Sequence, residues 1–432
     1  MSAIKKYTYA LVVCTFAICY SFAQSVRTQD PFTGDTSLAS AHTGILVVDA
    51  SSGKTLMNYQ ANRFFVPASN MKIITSYLAM KNLGDSIVGL RYMLKDTALF
   101  IRGTGDPTFL HPLYTSQPVM NFLKKTSLPI YIDTSNWRSE PYGSGWSWDD
   151  YSESYLAERS AFPVYGNVIR WIQERSGTVS QDETEFDQSV FIYSIPEVDW
   201  DVRFDPAPDA KEFKVKRHFH RNDFFITQGS EMKKELQVPY ITNGFESGLQ
   251  LMRDSIGRNI HMTAWVPAGE WDSLFSQPLD SILKPMMKES DNFFAEQLML
   301  LISDVKLKEL NDQRLRDSLI QTDLGMINKK SRWADGSGLS RYNLFTPLDL
   351  VLVLTRMREQ FGMDRMRRIF TRYQLSNGDA YAKTGTLSGV VAFSGYLQKK
   401  NGNILTFSVL INNHRSSASA VRRKIFSLLE RL

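Results

Sequence analysis

The sequence predicts an α/β (α+β) protein built on one antiparallel sheet, with helices on both faces of the sheet and a large β-rich insert on one side. Three observations lead to this prediction. Strand-like runs form two groups, near the two ends of the chain, and apolar residues recur with helical spacing between the groups. Residues 85 to about 272 consist instead of short strand-like runs and turn clusters, which is typical of an inserted β-rich region.

The first group of strands forms a hairpin. The run GILVVDA at residues 44–50 is apolar enough for a buried strand, and a second strand follows at 55–59 after a short turn that contains serine and glycine. Apolar residues then recur with helical spacing from Met71 to Leu78, and Gly84 ends the pattern. Pro67 lies just before this helix, where proline suits a first turn.

The second half of the chain completes the predicted sheet. The sequence favours helices at 245–256, 279–301 and 419–432, and strands at 382–387, 390–397 and 404–411. Two strands near the start of the chain and three near its end can pair in one antiparallel sheet. The prediction therefore brings residues from both ends of the chain into one layer.

The first 23 residues have the features of a secretory signal peptide. Two lysines precede an apolar run at 7–22, and Ala23 follows the run. The run is shorter than the roughly 20 residues that cross a bilayer comfortably. We therefore predict cleavage after Ala23 and a soluble periplasmic protein, with a retained membrane anchor as the alternative. Both cysteines, Cys14 and Cys19, lie in this segment, so the mature chain is predicted to contain no disulfide and no cysteine nucleophile.

Composition argues against several other classes of protein. The chain has 432 residues, with 50 lysines and arginines against 45 acidic residues, and this balance argues against a nucleic-acid partner. The six histidines are scattered, with only His218 and His220 close together, so neither a metal site nor another cofactor is predicted. The length suits two or three domains, at roughly 100 to 200 residues per domain.

Three short motifs carry the chemistry that the sequence predicts. They are, in chain order, Ser69-Asn70-Met71-Lys72, Ser290-Asp291-Asn292 and Lys383-Thr384-Gly385-Thr386. This set, S-x-x-K with S-D-N and K-T-G, is found in penicillin-binding proteins and class A β-lactamases. Each motif alone is a weak signal, but three in this order make coincidence improbable.

Ser69 is the candidate nucleophile and Lys72 is its candidate base. Residues i and i+3 share one face of a helix, so the Lys72 amine is expected beside the Ser69 hydroxyl. Burial and the nearby charge of Lys383 would lower the pKa of Lys72, so that part of it is neutral and can accept the serine proton. Backbone N–H groups at the start of the helix, and that of Thr386 on an edge strand, are candidate oxyanion donors.

The other two motifs supply candidate partners for the reaction. The Ser290 hydroxyl can relay a proton between Lys72 and the leaving amine, and Asn292 can orient the lysine and hold a substrate amide, while Asp291 is expected to point away. A terminal carboxylate on the substrate suits a cation, two hydroxyls and a glycine that permits close approach: Lys383, Thr384, Thr386 and Gly385.

With these motifs, the chain resembles the low-molecular-mass class C penicillin-binding proteins, which are D-Ala-D-Ala carboxypeptidases and endopeptidases. The resemblance covers most of the mature chain. Besides the motifs, it rests on Pro67-Ala68, Gly105-Asp106-Pro107-Thr108, the stretch 145–150 and the loop 335–341. It implies the penicillin-binding/serine β-lactamase-like transpeptidase fold, which requires no cofactor. We expect the loop 335–341 to be mainly structural, because its glycines suit a tight turn.

The resemblance also implies a domain organisation. The catalytic domain would be divided between residues 24–84 and 273–432, and residues 85–272 would hold two inserted domains, with the second nested at about 168–222. The long interval between Ser69 and Ser290 agrees with such an insert.

The implied partners are peptidoglycan stem peptides as substrates and β-lactam antibiotics as covalent inhibitors. In the family that the chain resembles, an acidic residue in an aromatic stretch receives the ammonium group of a diamino acid in the stem peptide. Asp150 is the candidate here, and Asp149 is the alternative. Helix capping is the competing role for both residues, since they precede Tyr151-Ser152-Glu153.

Other functions stay open at this point. A β-lactamase would share the acylation step but needs a group that activates water, and no glutamate in the sequence can be given that role. A non-catalytic, penicillin-sensing wall-binding protein would not need all of Ser69, Lys72 and Lys383. The basic helix at 419–432 could contact a membrane surface, at most peripherally, but its single apolar face favours packing on the sheet.

Overall fold

A computed structural model describes residues 31–32, 34–176, 190–205 and 212–432. The predicted signal peptide, with both cysteines, lies outside the described residues. The strands are β1 (His42–Asp49), β2 (Thr55–Tyr59), β3 (Ser86–Lys95), β4 (Ala98–Arg102), β5 (Ile130–Asp133), β6 (Val168–Arg175), β7 (Val190–Ile195), β8 (Val202–Asp205), β9 (Lys214–Arg217), β10 (Phe224–Thr227), β11 (Lys233–Pro239), β12 (Ile260–Thr263), β13 (Asp272–Pro278), β14 (Thr371–Leu375), β15 (Gly378–Leu387), β16 (Val390–Lys399) and β17 (Ile404–Asn412). The α-helices are α1 (Met71–Asn82), α2 (Pro118–Lys125), α3 (Glu246–Ile256), α4 (Leu279–Lys288), α5 (Asn292–Leu307), α6 (Asp312–Gln321), α7 (Pro347–Ile369) and α8 (Ala418–Glu430).

The central sheet has six strands in the order β14-β15-β16-β17-β1-β2, and all its pairings are antiparallel. It contains the five strands that the sequence predicts. The last of them, β17, lies between β16 and β1 and so joins the two ends of the chain. The sixth strand, β14, was not predicted, because its five residues TRYQL alternate between half-buried and exposed and include only one fully buried residue.

Helices cover both faces of this sheet, as predicted. On one face, α8 packs through four buried residues on apolar strand residues of the sheet: Val421, Ile425, Leu428 and Leu429. The other face packs against a helical layer that includes α1, α4, α5 and α7. Packing of the C-terminal helix on the sheet therefore accounts for its apolar residues. In the part of the chain that the structure describes, no helix is long and apolar enough to span a membrane.

Helix α1 lies in the middle of the helical layer, and every residue from Met71 to Met80 is buried. A helix that is enclosed on all sides needs no polar face. Its buried polar residues are therefore exceptions that require partners, since an unpaired buried polar group costs free energy. Lys72 is one of them, and its side chain is completely inaccessible to solvent.

The prediction of a single helix at 279–301 is wrong, because the chain forms two helices there. Helix α4 ends at Lys288, Ser290 adopts a positive φ of 62°, and α5 begins at Asn292. The Asp291 carboxylate caps α5 by accepting a hydrogen bond from the backbone N–H of Phe294 at 2.9 Å. The apolar periodicity runs through this break, so the sequence pattern did not reveal it.

Among the residues that the structure describes, the region between α1 and α4 contains three further sheets. A five-stranded mixed sheet has the order β12-β5-β4-β3-β13, and two three-stranded sheets have the orders β11-β6-β7 and β8-β10-β9. Strand β13 begins at Asp272 and pairs with β3, so this pairing continues past the boundary predicted at 272. The division of the chain into domains stays a prediction.

Candidate active site

The three motifs meet at one cavity of about 670 Å³ between the central sheet, the start of α5 and the region that follows β5. The cavity is lined by Ser69, Gly145, Ser147, Asp150, Tyr155, Ser290, Asn292, Gly338, Leu339, Arg341, Thr386, Leu387 and Ser388. Residues that are hundreds of positions apart in the sequence therefore surround the Ser69 hydroxyl.

Ser69 and Lys72 are in contact. Ser69 lies in a single 3₁₀ turn, Ala68–Asn70, directly before α1, and the Lys72 Nζ donates a hydrogen bond to the Ser69 Oγ at 3.3 Å. Burial lowers the pKa of Lys72 to about 8, although the negative charges of Asp291, Asp335 and Glu296 oppose this shift. A lysine with this pKa is neutral in a fraction of the molecules at neutral pH, as the sequence analysis expected.

Two further acceptors fix the position of the Lys72 amine. Its Nζ donates to the Asn292 Oδ1 at 2.7 Å and to the Ser337 backbone oxygen at 2.8 Å. The Asn292 Nδ2 in turn donates to the Tyr155 backbone oxygen at 3.2 Å. The predicted contact between Asn292 and the lysine is therefore present in the structure, while the part played by Ser337 was missed.

Lys383 contacts the second motif. Its Nζ donates to the Ser290 Oγ and to the Thr384 backbone oxygen, both at 2.9 Å. Burial, together with the positive charges of Lys72 and Arg422, lowers the pKa of Lys383 to about 7. The Ser290 hydroxyl is thus bonded to Lys383 in this structure, whereas the sequence analysis expected it between Lys72 and the leaving group.

The first and third motifs are also linked directly. The Asn70 side chain is fully buried, and its Nδ2 donates to the Lys383 backbone oxygen at 3.0 Å. A buried amide that bonds to the backbone fixes the strand relative to the turn. In the sequence, Asn70 was considered only as one of the two variable residues of the S-x-x-K motif, so this contact was not predicted.

Strand β15 offers an open edge over its second half only. Strand β14 pairs with β15 from Gly378 to Ala382, and Lys383–Leu387 pair with β16 alone among the described strands. Thr386 is exposed and lines the cavity, and Thr384 is half-buried. Gly385 is buried, and a Cβ atom there would lie 2.9 Å from the Pro67 oxygen. This glycine is therefore required for close packing against the turn before Ser69, and its predicted role in admitting the substrate stays a prediction.

The turn that carries Ser69 is tightly enclosed. Ala68 has a positive φ of 47°, which is uncommon for a residue with a side chain. Gly338 approaches it so closely that a Cβ atom at 338 would overlap the Ala68 carbonyl oxygen. Gly338 itself has a φ of 85°. A glycine is therefore required at this position both for its backbone conformation and for space.

The loop 335–341 holds this glycine in place. The Asp335 carboxylate accepts hydrogen bonds from the backbone N–H groups of Gly338 and Ser340, at 2.8 and 2.6 Å, and from the Trp146 Nε1 at 2.9 Å. The loop is structural, as predicted, and Thr346 then caps α7, with Pro347 in its first turn. It also lines the cavity through Gly338, Leu339 and Arg341, which the sequence analysis underestimated.

Asp150 lies in the same cavity, in the 3₁₀ turn Trp148–Asp150. No side-chain capping hydrogen bond occurs at this turn or at the turn that follows it, Ser154–Leu156. Burial, together with a hydrogen bond to the Asp150 carboxylate, raises the pKa of Tyr155 to about 12. Asp149 bonds instead to the Ser147 hydroxyl at 2.5 Å. This geometry does not provide the capping role and leaves Asp150 facing the cavity.

Comparisons with known proteins agree with this site. Residues 27–432 match the D-Ala-D-Ala carboxypeptidase 3 (S13) family. The chain is 22% identical to the D-alanyl-D-alanine carboxypeptidase DacB of Haemophilus influenzae, over 87% of this chain and 86% of that protein. It is 26% identical to a D-alanyl-D-alanine carboxypeptidase of Actinomadura sp. (strain R39), over 90% of this chain and 81% of that protein. The crystal structure of penicillin binding protein 4 (dacB) from Haemophilus influenzae superposes with a TM-score of 0.68 at 21% identity, covering 90% of this chain and 94% of that chain. The resemblance inferred from the motifs is thus confirmed, and the chain belongs to the D-Ala-D-Ala carboxypeptidase 3 (S13) family.

Proposed function

We propose that this chain is a serine DD-peptidase that cleaves peptidoglycan stem peptides through an acyl-enzyme at Ser69. The observation that carries the proposal is the contact between the Ser69 hydroxyl and the amine of Lys72, a buried lysine whose pKa is lowered to about 8. The bond cleaved is D-Ala-D-Ala in a carboxypeptidase reaction, or the bond from D-Ala to a diamino acid in an endopeptidase reaction.

In the acylation step, neutral Lys72 accepts the Ser69 proton while the Ser69 Oγ forms a bond to the carbonyl carbon of the substrate. The carbon–nitrogen bond then breaks, and the leaving amine takes a proton that passes through the Ser290 hydroxyl. Ser290 bonds to Lys383, whose own pKa is about 7, so a second lysine is available for this proton transfer. Water then hydrolyses the ester and regenerates Ser69.

Two sets of side chains at the site suit the two charged groups of a stem peptide. Lys383, Thr384 and Thr386 provide a cation and two hydroxyls for the carboxylate beside the scissile bond, and Gly385 holds their strand close to the nucleophile. Asp150 lies in the same cavity and provides a carboxylate for the side-chain ammonium of a diamino acid. Both contacts are charge-assisted and would orient the peptide across Ser69.

The proposed site of action is the periplasm. Residues 1–23 have the charge pattern and apolar run of a signal peptide, and the substrate is outside the cytoplasmic membrane. β-Lactams are the proposed covalent inhibitors, since they acylate the same serine in penicillin-binding proteins.

The decisive experiment combines penicillin labelling with peptide cleavage. The mature protein should gain one penicillin acyl group by intact-mass spectrometry and should release D-alanine from a D-Ala-D-Ala peptide. Ser69→Ala should abolish both. The control is Ser281→Ala, which should change neither, since the Ser281 hydroxyl lies outside the cavity and donates to the Pro278 oxygen at the start of its own helix. Labelling that survives in Ser69→Ala would refute the assignment.

Two outcomes separate the alternative functions. Rapid release of the penicilloyl group would favour a β-lactamase, whereas a long-lived adduct favours the peptidase. Labelling without cleavage of any peptide would favour a non-catalytic sensor. Mass spectrometry of crosslinked wall fragments, before and after incubation, measures the carboxypeptidase and endopeptidase reactions separately.

A further inference from the structure

Arg422 reaches the rim of the active-site cavity from the opposite face of the sheet edge. It lies in the second turn of α8, next to Val421, which is buried against the sheet. Its Nη2 donates a hydrogen bond to the Thr386 hydroxyl at 3.4 Å. Thr386 lines the cavity that contains Ser69, so the guanidinium lies one hydroxyl away from the proposed binding site of the substrate carboxylate.

The charge of Arg422 is not neutralised by the protein. It forms no ion pair with any carboxylate among residues 31–32, 34–176, 190–205 and 212–432. Its Nε is buried and has no hydrogen-bond partner within that same part of the chain. Lys424, two residues later on the same helix, does have a partner, because it pairs with Asp35. A half-buried guanidinium without an anion is unusual, since arginine is generally buried with a paired carboxylate or phosphate.

The positive charges nearest to Arg422 make its unpaired guanidinium less favourable still. Lys383 is close enough for the charge of Arg422 to lower its pKa, so a second buried cation lies near the unpaired guanidinium. Arg341, which also lines the cavity, donates to the Ser388 backbone oxygen at 2.7 Å rather than to a carboxylate. Repulsion between these groups is relieved when an anion enters, so the positive potential favours an anionic ligand.

We propose that Arg422 is a specificity-determining residue that binds the free carboxylate of the substrate together with Thr386. This proposal rests on the proposed DD-peptidase function and adds a residue outside the three motifs. The guanidinium presents several N–H donors in a fixed plane, which suits a carboxylate bound beside the Thr386 hydroxyl. Arg422 thereby selects peptides whose terminal carboxylate is free over peptides in which it is amidated.

The competing role is structural, because the contact with Thr386 also ties α8 to β15. The two roles predict different effects of losing Arg422 on the reactions of a peptide with a free carboxylate and of a neutral peptide. Loss of a structural tie slows the reactions of all substrates alike and lowers the melting temperature. Loss of a residue that binds the carboxylate slows the reaction of the peptide with a free carboxylate and leaves the reaction of the amidated peptide unchanged.

The test compares one peptide in two forms, ending in D-Ala-D-Ala with a free carboxylate or with a carboxamide. In Arg422→Gln, the ratio of kcat/KM for the acid to kcat/KM for the amide should fall by about tenfold or more, as expected for loss of one charge-assisted contact. Arg422→Lys, which keeps the charge but not the planar donors, should restore part of the ratio. The matched control is Arg423→Gln, since Arg423 is exposed on the same helix and should leave the ratio unchanged.

Each outcome either supports the proposal or overturns it. An unchanged ratio in Arg422→Gln, with equal loss for both peptides or with no loss at all, would overturn it. Equal changes in Arg423→Gln and Arg422→Gln would also do so, because they would reflect general surface charge. Failure of the proposed function is a separate result, in which the wild-type protein cleaves neither peptide and gains no acyl group from penicillin.

Discussion

Lys72 and Lys383 are both buried, and both have lowered pKa values, of about 8 and about 7. At pH 7, a lysine with a pKa of 8 is neutral in about one molecule in ten, against fewer than one in a thousand for an ordinary lysine. The carboxylates of Asp291, Asp335 and Glu296 prevent a larger shift for Lys72. Burial thus favours a neutral amine beside Ser69, as the proposed role of Lys72 as the base requires.

Asp150 allows a test of substrate choice at the level of one side chain. We expect Asp150→Asn to lower kcat/KM by about tenfold or more for stem peptides with a free side-chain amine, because a charge-assisted contact is lost. Penicillin acylation and the melting temperature should change little, since the carboxylate caps no helix in the structure. Assays with amine-bearing and amine-blocked peptides provide the measurement, and an equal loss on both would contradict the assigned role.

The candidate residues that lie in short motifs could be predicted from the sequence, whereas the residues that contact them over long sequence distances could not. Ser69, Lys72, Ser290, Asn292 and Lys383 were found because their spacing and order are distinctive. The Tyr155 and Ser337 backbone oxygens, which receive hydrogen bonds from Asn292 and Lys72, were missed. A backbone carbonyl has no side-chain signature, so only the folded chain reveals such a partner.

At the scale of elements, the site depends on the turn before α1 and the loop 335–341 that covers it. Gly338→Ala should lower the rate of penicillin acylation by about a hundredfold, because the new Cβ would overlap the Ala68 carbonyl and displace the Ser69 turn. Because an alanine at 338 must also adopt a positive φ, the free energy of unfolding of the variant should fall by about 1 kcal/mol or more.

Acylation kinetics with intact-mass detection would measure the effect of Gly338→Ala. Gly402→Ala is the matched control, since Gly402 also has a positive φ, of 85°, but has open space around it. Both variants should lose some stability, and only the first should lose acylation. Similar acylation in the two variants would show that the close approach of loop and turn does not position Ser69.

The break between α4 and α5 shows why element boundaries were harder to predict than element types. Apolar residues continue with helical spacing across Ser290, so periodicity predicted one helix. The capping hydrogen bond from Phe294 to Asp291 and the positive φ of Ser290 decide the break instead. As a result, the second motif lies at a helix start, where the chain can turn Ser290 and Asn292 toward the two lysines.

At the scale of the whole molecule, buried ion pairs join the region after β5 to the helical layer. Arg159 contacts Asp312 at 2.7 Å and Glu296 at 3.5 Å, and all three side chains are less than a tenth exposed. Glu296 also accepts a hydrogen bond from the Ser337 backbone N–H at 2.7 Å. This cluster therefore connects the wall of the cavity with the loop that bonds to Lys72.

Arg159→Met should destabilise the protein by about 3 to 5 kcal/mol, because it leaves the buried Glu296 carboxylate without its cation and leaves Asp312 with Arg316 alone. Urea unfolding of the variant and the wild type would measure this difference. Arg170→Met is the control, since Arg170 pairs with Glu235 at a partly exposed position and should cost at most about 1 kcal/mol. Equal and small effects of the two changes would show that the buried cluster does not hold these parts together.

Strand β17 determines when the molecule can first act. It is the last strand of the central sheet along the chain, yet it lies between β16 and β1 in space. A chain that stops before residue 404 has no strand to join the N-terminal hairpin to the strands that carry Lys383. The Ser69 motif and Lys383 can therefore come together only after residues 404–412 have been synthesised, so we expect a chain that ends before residue 404 to be inactive.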